Sequence, residues 1–160
     1  MPRSEAESLV EALLSKGLRM SAAESCTGGL LGAEITSIPG ASAVFLGSAV
    51  TYSNESKMSV LGVRESTLEA HGAVSTDTAR EMAKGSVRAY GSDVAVSITG
   101  IAGPGGGTDE KPVGTVCMAV SDGEREVATK FNFKGDRSSV REQSVSEACR
   151  LLQQFVEGEL

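Results

Sequence analysis

Leu9, Val10, Leu13 and Leu14 recur at the three-to-four-residue spacing that lines one face of a helix. Ser4 with Glu7 reads as a capping box and Gly17 as a C-terminal stop, which predicts a first helix over residues 5–16. Residues 18–23 are short and apolar and predict a strand. A helical pattern follows over residues 28–37, with Thr27 placed to cap it and Ile38-Pro39-Gly40 placed to end it. Residues 41–45 predict a helical turn and residues 46–53 a second strand. Two short helices are expected next, at residues 54–60 behind an Asn54 cap and at residues 65–70 before His71-Gly72. Ser75 then caps a longer helix over residues 76–90, with Ala79, Met82, Ala83 and Val87 on one face.

Residues 93–98, Asp-Val-Ala-Val-Ser-Ile, form the clearest buried strand. Residues 113–120 predict another, followed by an Asp122-Gly123 hairpin turn. Residues 126–133 alternate, placing Val127, Thr129, Phe131 and Phe133 on one side, so these last two strands are expected to pair antiparallel. A final helix over residues 138–156 turns Val140, Val145, Ala148, Leu152 and Phe155 inward, with Gln143, Gln153 and Gln154 outward or at an interface. This order implies an α/β fold, a mixed sheet covered by helices on both faces and including one antiparallel hairpin. No linker, repeat or low-complexity segment interrupts it, so residues 1–160 are expected to form a single domain.

Composition narrows the picture. Aromatic residues make up 4% and Trp is absent, so the core is built from Val, Leu, Ile, Ala and Met. The 19 glycines cluster, which suggests loops that approach something closely. A formal net charge of −6 argues against non-specific nucleic-acid binding but leaves room for a local anion pocket. Cys26, Cys117 and Cys149 are scattered, with neither a disulfide framework nor metal-ligand spacing, and fit reduced thiols in the cytosol. The stretch Met1 to Glu5 has no signal-peptide pattern and no apolar run approaches membrane-spanning length, so a cytoplasmic protein without membrane contact is expected. The Asn54-Glu55-Ser56 sequon carries no meaning there.

The common catalytic motifs are absent: no Gly-x-Gly-x-x-Gly, no Walker A, no Gly-x-Ser-x-Gly and no Ser-x-x-Lys. The sole histidine, His71, reads as a cap or surface residue, and one histidine without an acidic cluster argues against a catalytic metal. Hydroxyls and amines remain. Ala23-Glu24-Ser25-Cys26-Thr27-Gly28-Gly29 crowds a carboxylate, two hydroxyls and a thiol into a strand–helix joint, where open α/β sheets bind ligands. Simple capping explains one hydroxyl, most naturally Thr27, and leaves Ser25 and Cys26 as candidate nucleophiles, the thiol without an evident histidine partner. Tyr52 and Lys57 flank the next strand end. Desolvation can turn such a lysine into a general base and the tyrosine into a relay; the plainer reading is a solvated lysine and a packed tyrosine. Thr99 to Gly107 is either a phosphate-cradling loop or a mobile one, and Arg137, beside a helix start, suits a phosphate, a carboxylate or a salt bridge to a neighbour.

Taken together, these stretches resemble the CinA C-terminal domain family, whose characterised members are nicotinamide mononucleotide deamidases of the PncC type. The residues that carry the resemblance are Ala23 to Gly29, Val50 to Lys57, Gly62-Val63-Arg64, His71 to Ser75, Gly100 to Gly107, Lys111 to Val116 and Gly135-Asp136-Arg137. The resemblance implies a three-layer α/β/α domain, a homodimer or higher homo-oligomer, and no metal or other cofactor. It implies conversion of nicotinamide mononucleotide and water to nicotinate mononucleotide and ammonia in pyridine-nucleotide salvage. It also implies Ser25 as nucleophile, Lys57 as its base, Tyr52 beside them, and Thr99 and Arg137 at the other active-site positions. On this reading Thr27, Gly28 and Gly29 supply cap and oxyanion contacts, Thr99, Gly100 and Arg137 hold substrate, and Glu24 has no assigned role. Longer CinA proteins carry a further N-terminal domain like molybdopterin-binding proteins; 160 residues leave no room for it, so a stand-alone enzyme is expected. The alternative is a non-catalytic nucleotide-binding module linked to competence or DNA damage.

Overall fold

Three strands in the middle of the sheet are buried along almost their whole length: β1 (Met20–Glu24), β3 (Val94–Gly100) and β4 (Thr115–Ser121). Burial on both faces requires cover on both faces, and the helices supply it. In the computed structural model, which describes residues 3–160, the chain runs α1 (Glu5–Lys16), β1, α2 (Leu30–Thr36), a 3-10 turn at Ala41–Ala43, β2 (Phe45–Val50), α3 (Asn54–Leu61), α4 (Glu65–His71), α5 (Thr76–Tyr90), β3, β4, β5 (Glu126–Asn132) and α6 (Arg137–Val156). Residues 1 and 2, the first two of the stretch without a signal-peptide pattern, lie outside the described residues. Among the described residues no helix is long and apolar enough to cross a membrane.

The sheet order is β2-β1-β3-β4-β5. β2, β1 and β3 are parallel, and β3, β4 and β5 are successively antiparallel. The β3–β4 pair is a second antiparallel pair, where the sequence predicted only the β4–β5 hairpin. The larger core lies on the α1, α2 and α6 side, where Leu9, Leu13, Leu31, Ile35 and Leu152 meet Met20, Val96, Ile98 and Met118. The opposite side is thinner in volume. There Ala79, Ala83 and Met82 of α5 lie over Cys117, Ala119 and Ala23. Gly85 lets α3 close onto α5, since a Cβ there would stand 1.9 Å from the Leu61 carbonyl oxygen.

Cap chemistry departs from the sequence expectation at three helices. Ser4 accepts from the Glu7 N–H, but no reciprocal Glu7 bond completes a box. Ser53, not Asn54, caps α3, and Ser56 closes a capping box with it. Thr27 does not cap α2; the helix starts two residues later behind Gly29, which has no side chain to offer.

The topology decides where the site falls. β5 runs in the same direction as β3, because each is antiparallel to β4. The carboxyl ends of β1, β2, β3 and β5 therefore open on one edge of the sheet. Ser25, Tyr52 and the start of α6 follow those ends, and Thr99 is the penultimate residue of β3.

Candidate active site

Ser25 is the first residue past β1. Its N–H extends the ladder by one rung, donating to the Ile98 carbonyl at 3.0 Å. Its Oγ lies 3.0 Å from Lys57 Nζ, which also donates to the Thr51 carbonyl at 2.7 Å. Lys57 is only 1% exposed and Ser25 8%. The lysine sits in the first turn of α3, where the helix dipole opposes a cation. Burial holds its pKa below the ordinary lysine value, because the charged form is the one that loses water. Cys26, next to it, is no counter-ion at neutral pH: burial pushes the thiol up to about 11. The pair is thus a hydroxyl and an amine inclined towards its neutral, proton-accepting form.

These two groups line a cavity of about 190 Å³ together with Cys26, Tyr52, Thr99, Gly100 and Arg137. Thr99 is buried and its hydroxyl donates to the Ala73 carbonyl at 2.8 Å. Arg137 fixes the mouth: Nη1 donates to the Gly103 carbonyl at 2.7 Å and Nη2 reaches the Tyr52 hydroxyl at 3.4 Å. Tyr52 is 64% exposed, an aromatic face set open at the rim rather than packed away. The stretch after Thr99 is tied down by Ile101 and Gly114, whose N–H groups bond to the Thr115 and Ile101 carbonyls. His71 lies at the end of α4, 3.6 Å from Asp77, and does not line the cavity.

Six of the residues expected at the site thus meet there: Ser25, Lys57, Tyr52, Thr99, Gly100 and Arg137. Thr27, Gly28 and Gly29 do not line the cavity. Thr27 is fully buried and its hydroxyl donates to Glu24 at 2.7 Å. The Gly28 N–H is taken by the Ser25 carbonyl and the Gly29 N–H by Glu24. Their glycines serve the turn itself, at φ of 56° and 104°. The Thr27 side chain and the two glycines build the joint.

Glu24 is the organising group of that joint. Its buried carboxylate accepts from the Thr27 and Ser48 hydroxyls, both at 2.7 Å, and from the N–H groups of Gly29, Leu31 and Gly32. It caps α2 from the end of the preceding strand, giving the unpaired N–H groups an anion. The available signal was the acidic residue just before a Gly-Gly helix start. Asn54, Ala73, Val74 and Ala102 also line the cavity; they fall within the stretches that carry the family resemblance, but no site role was expected of them.

An α/β domain with a buried serine–lysine pair at the carboxyl ends of parallel strands is the class that fold and geometry define. Residues 3–156 match the CinA C-terminal domain, and the chain belongs to that family. It is 51% identical over 154 residues to a CinA-like protein of Chloroherpeton thalassium, covering 94% of this chain and 37% of the relative. It is 45% identical over 152 residues to a CinA-like protein of Thermotoga maritima, covering 95% and 37%. The chain thus spans little more than a third of the length of these relatives. Among solved structures, a competence-damaged protein (CinA) superfamily protein from Klebsiella pneumoniae superposes with a TM-score of 0.93 at 36% identity, over 96% of each chain. A competence/damage inducible protein from Agrobacterium tumefaciens gives 0.89 at 37% identity, over 98% of each.

Proposed function

We propose that this domain is an amidohydrolase that converts nicotinamide mononucleotide and water to nicotinate mononucleotide and ammonia. The observation that carries this reading is the buried Ser25–Lys57 pair, in which, among the described residues, no carboxylate shares the lysine's hydrogen bonds. A site for binding an anion alone is served by a charged lysine, whereas burial here favours the neutral, proton-accepting form. That weighs against the alternative, a nucleotide-binding module without catalysis.

A carboxamide is a poor electrophile, so the serine must lose its proton as it attacks. Neutral Lys57 takes that proton while Ser25 Oγ bonds to the amide carbon. The carbonyl oxygen becomes an oxyanion. Collapse breaks the C–N bond, and the protonated lysine hands its proton to the leaving nitrogen, which departs as ammonia. Water then attacks the acyl-serine with Lys57 again as base, releasing the carboxylate. The cationic pyridinium of the substrate favours a neutral lysine beside it.

The cavity is small beside the roughly 300–1,000 Å³ of typical ligand sites. It admits the aromatic ring and leaves ribose and phosphate at the rim. There Tyr52 presents a ring face to the cationic ring, and Arg137, exposed and forked, suits the phosphate. The test is ammonia release by the purified protein from the mononucleotide, with nicotinamide and its riboside as controls. Release only from the mononucleotide supports the reading. Calorimetric binding of the mononucleotide with no turnover would replace it by the binding module.

A further inference from the structure

The two carbonyls that follow the nucleophile are held by an arginine outside the Ser25–Lys57 pair and its cavity lining. Arg141 lies one helical turn after Arg137 on α6. Its Nε donates to the Cys26 carbonyl at 3.2 Å and its Nη2 to the Thr27 carbonyl at 2.9 Å. Among the described residues it has no carboxylate partner within salt-bridge distance.

Peptide geometry turns those bonds into a statement about N–H groups. In a trans peptide the C=O and the N–H point opposite ways. Arg141 draws the Cys26 carbonyl towards α6, so the Thr27 N–H is turned away from α6. The Ser25 carbonyl is drawn into its turn by the Gly28 N–H at 3.0 Å, so the Cys26 N–H points outward from that turn. The next donors are all engaged: Gly28 with Ser25, Leu30 with Thr27, and Gly29, Leu31 and Gly32 with Glu24. Among the described residues, the N–H groups of Cys26 and Thr27 alone in this turn donate to no other residue. Both residues are buried, and buried unpaired N–H groups are rare. Two in succession, straight after a nucleophile, are what an oxyanion needs.

We propose that the oxyanion is bound by the Cys26 and Thr27 N–H groups, and that Arg141 is the positioning residue. It holds the Thr27 N–H directly through the Cys26 carbonyl. It holds the Cys26 N–H indirectly through the Thr27–Gly28 peptide, whose N–H fixes the Ser25 carbonyl. The proposal rests on the reading of Ser25 as nucleophile. Arg141 touches neither substrate nor the reacting atoms; it acts through the two peptide units it grips. Lysine in its place keeps the charge but loses the fork that spans two carbonyls.

The experiment compares wild type with Arg141→Met, Arg141→Lys and Ser25→Ala, using a fluorophosphonate probe and ammonia release in parallel. Ser25 Oγ attacks phosphorus, its proton passes to Lys57, and fluoride leaves; the phosphoryl oxygen then occupies the oxyanion position. Wild type is expected to label at Ser25 and Ser25→Ala not to label. Arg141→Met is expected to label at least about tenfold more slowly, a fraction of the hundredfold or more lost with an oxyanion donor itself. Arg141→Lys should recover only part of the rate. In ammonia release, kcat should fall by a similar factor with KM and the midpoint of the pH profile unchanged. Thermal melting checks that each variant is folded, and Arg141→Lys carries the comparison if Arg141→Met is not. Labelling of Arg141→Met at the wild-type rate overturns the proposal. So does full recovery in Arg141→Lys together with a displaced pH midpoint, which would mark a charge effect on Lys57. Wild-type labelling without ammonia release removes the proposed substrate and leaves this inference standing. No labelling of wild type removes the nucleophile and the inference with it.

Discussion

Lys57 Nζ stands 3.0 Å from Ser25 Oγ, although the two residues lie on different elements and 32 positions apart in the chain. The pair sets the first prediction. Activity requires neutral Lys57, whose pKa burial has lowered from that of ordinary lysine. Ammonia release should therefore rise with pH along a limb whose midpoint lies below that of a free lysine. Ser25→Ala should lose about 10,000-fold or more in kcat while melting like wild type, as expected when a covalent nucleophile is removed. A pH–rate profile that stays flat from acid to neutral, or Ser25→Ala with full activity, would remove the dyad.

What the chain discloses in advance follows how local the determining contacts are. The helix at residues 76–90 is found as α5 (Thr76–Tyr90), because Ser75 caps it and Gly91 ends it in the left-handed region, both signals within the segment. The strand ends at Ser25, Tyr52 and Thr99 are equally legible from apolar runs that stop in polar residues. The β3–β4 pairing was not legible, since it depends on contacts between strands and on a link, residues 101–114, with no helical pattern. Thr27 was misassigned for a related reason. A hydroxyl before a helix normally caps it, but here Glu24 takes the helix N–H groups and the hydroxyl as well. Arg141 was missed because its partners, Cys26 and Thr27, lie 115 and 114 positions away.

Glu24 gives the second prediction. Alanine there leaves the N–H groups of Gly29, Leu31 and Gly32 without an acceptor and strips two hydroxyls of theirs. Each buried orphan costs about 1–3 kcal/mol, relieved where water reaches it. Glu24→Ala should thus lose roughly 3 kcal/mol or more in chemical denaturation. Glu24→Gln should lose less, since it keeps one acceptor oxygen. It still presents an amide N–H₂ to groups that are themselves donors. A midpoint unchanged in Glu24→Ala would show that the joint does not depend on this carboxylate.

Arg137 separates substrate binding from chemistry. Its two hydrogen bonds go to the Gly103 carbonyl and the Tyr52 hydroxyl, and neither reaches Ser25 or Lys57. If it holds the phosphate, Arg137→Ala should raise KM for the mononucleotide by about tenfold or more, in line with the loss of a charge-assisted bond. The effect on the riboside, which lacks phosphate, should be under about threefold on the same reasoning. Steady-state kinetics on the mononucleotide, with the riboside titrated in as a competing ligand, checks this. An equal rise for the two would move the phosphate elsewhere.

The last prediction concerns what the lysine costs the fold. In the unfolded chain Lys57 titrates as an ordinary lysine; in the folded protein its pKa is lower, because burial penalises the charge. Between the two values the unfolded state binds more protons, so stability rises with pH across that window. Below the folded value the slope vanishes and the full penalty remains. Lys57→Met fills the same space without a charge. It should be inactive yet more stable at neutral pH, by about 1 kcal/mol or more, or some 2–4 °C in Tm for a domain of this size. The gain over wild type should shrink as pH climbs towards the ordinary lysine pKa, because wild type sheds its penalty on the way. Thermal melts of both proteins across that range measure it. A Lys57→Met variant less stable than wild type at every pH would mean that the amine's bonds to Ser25 and Thr51 outweigh its desolvation. The lysine would then be held for structure as well as chemistry.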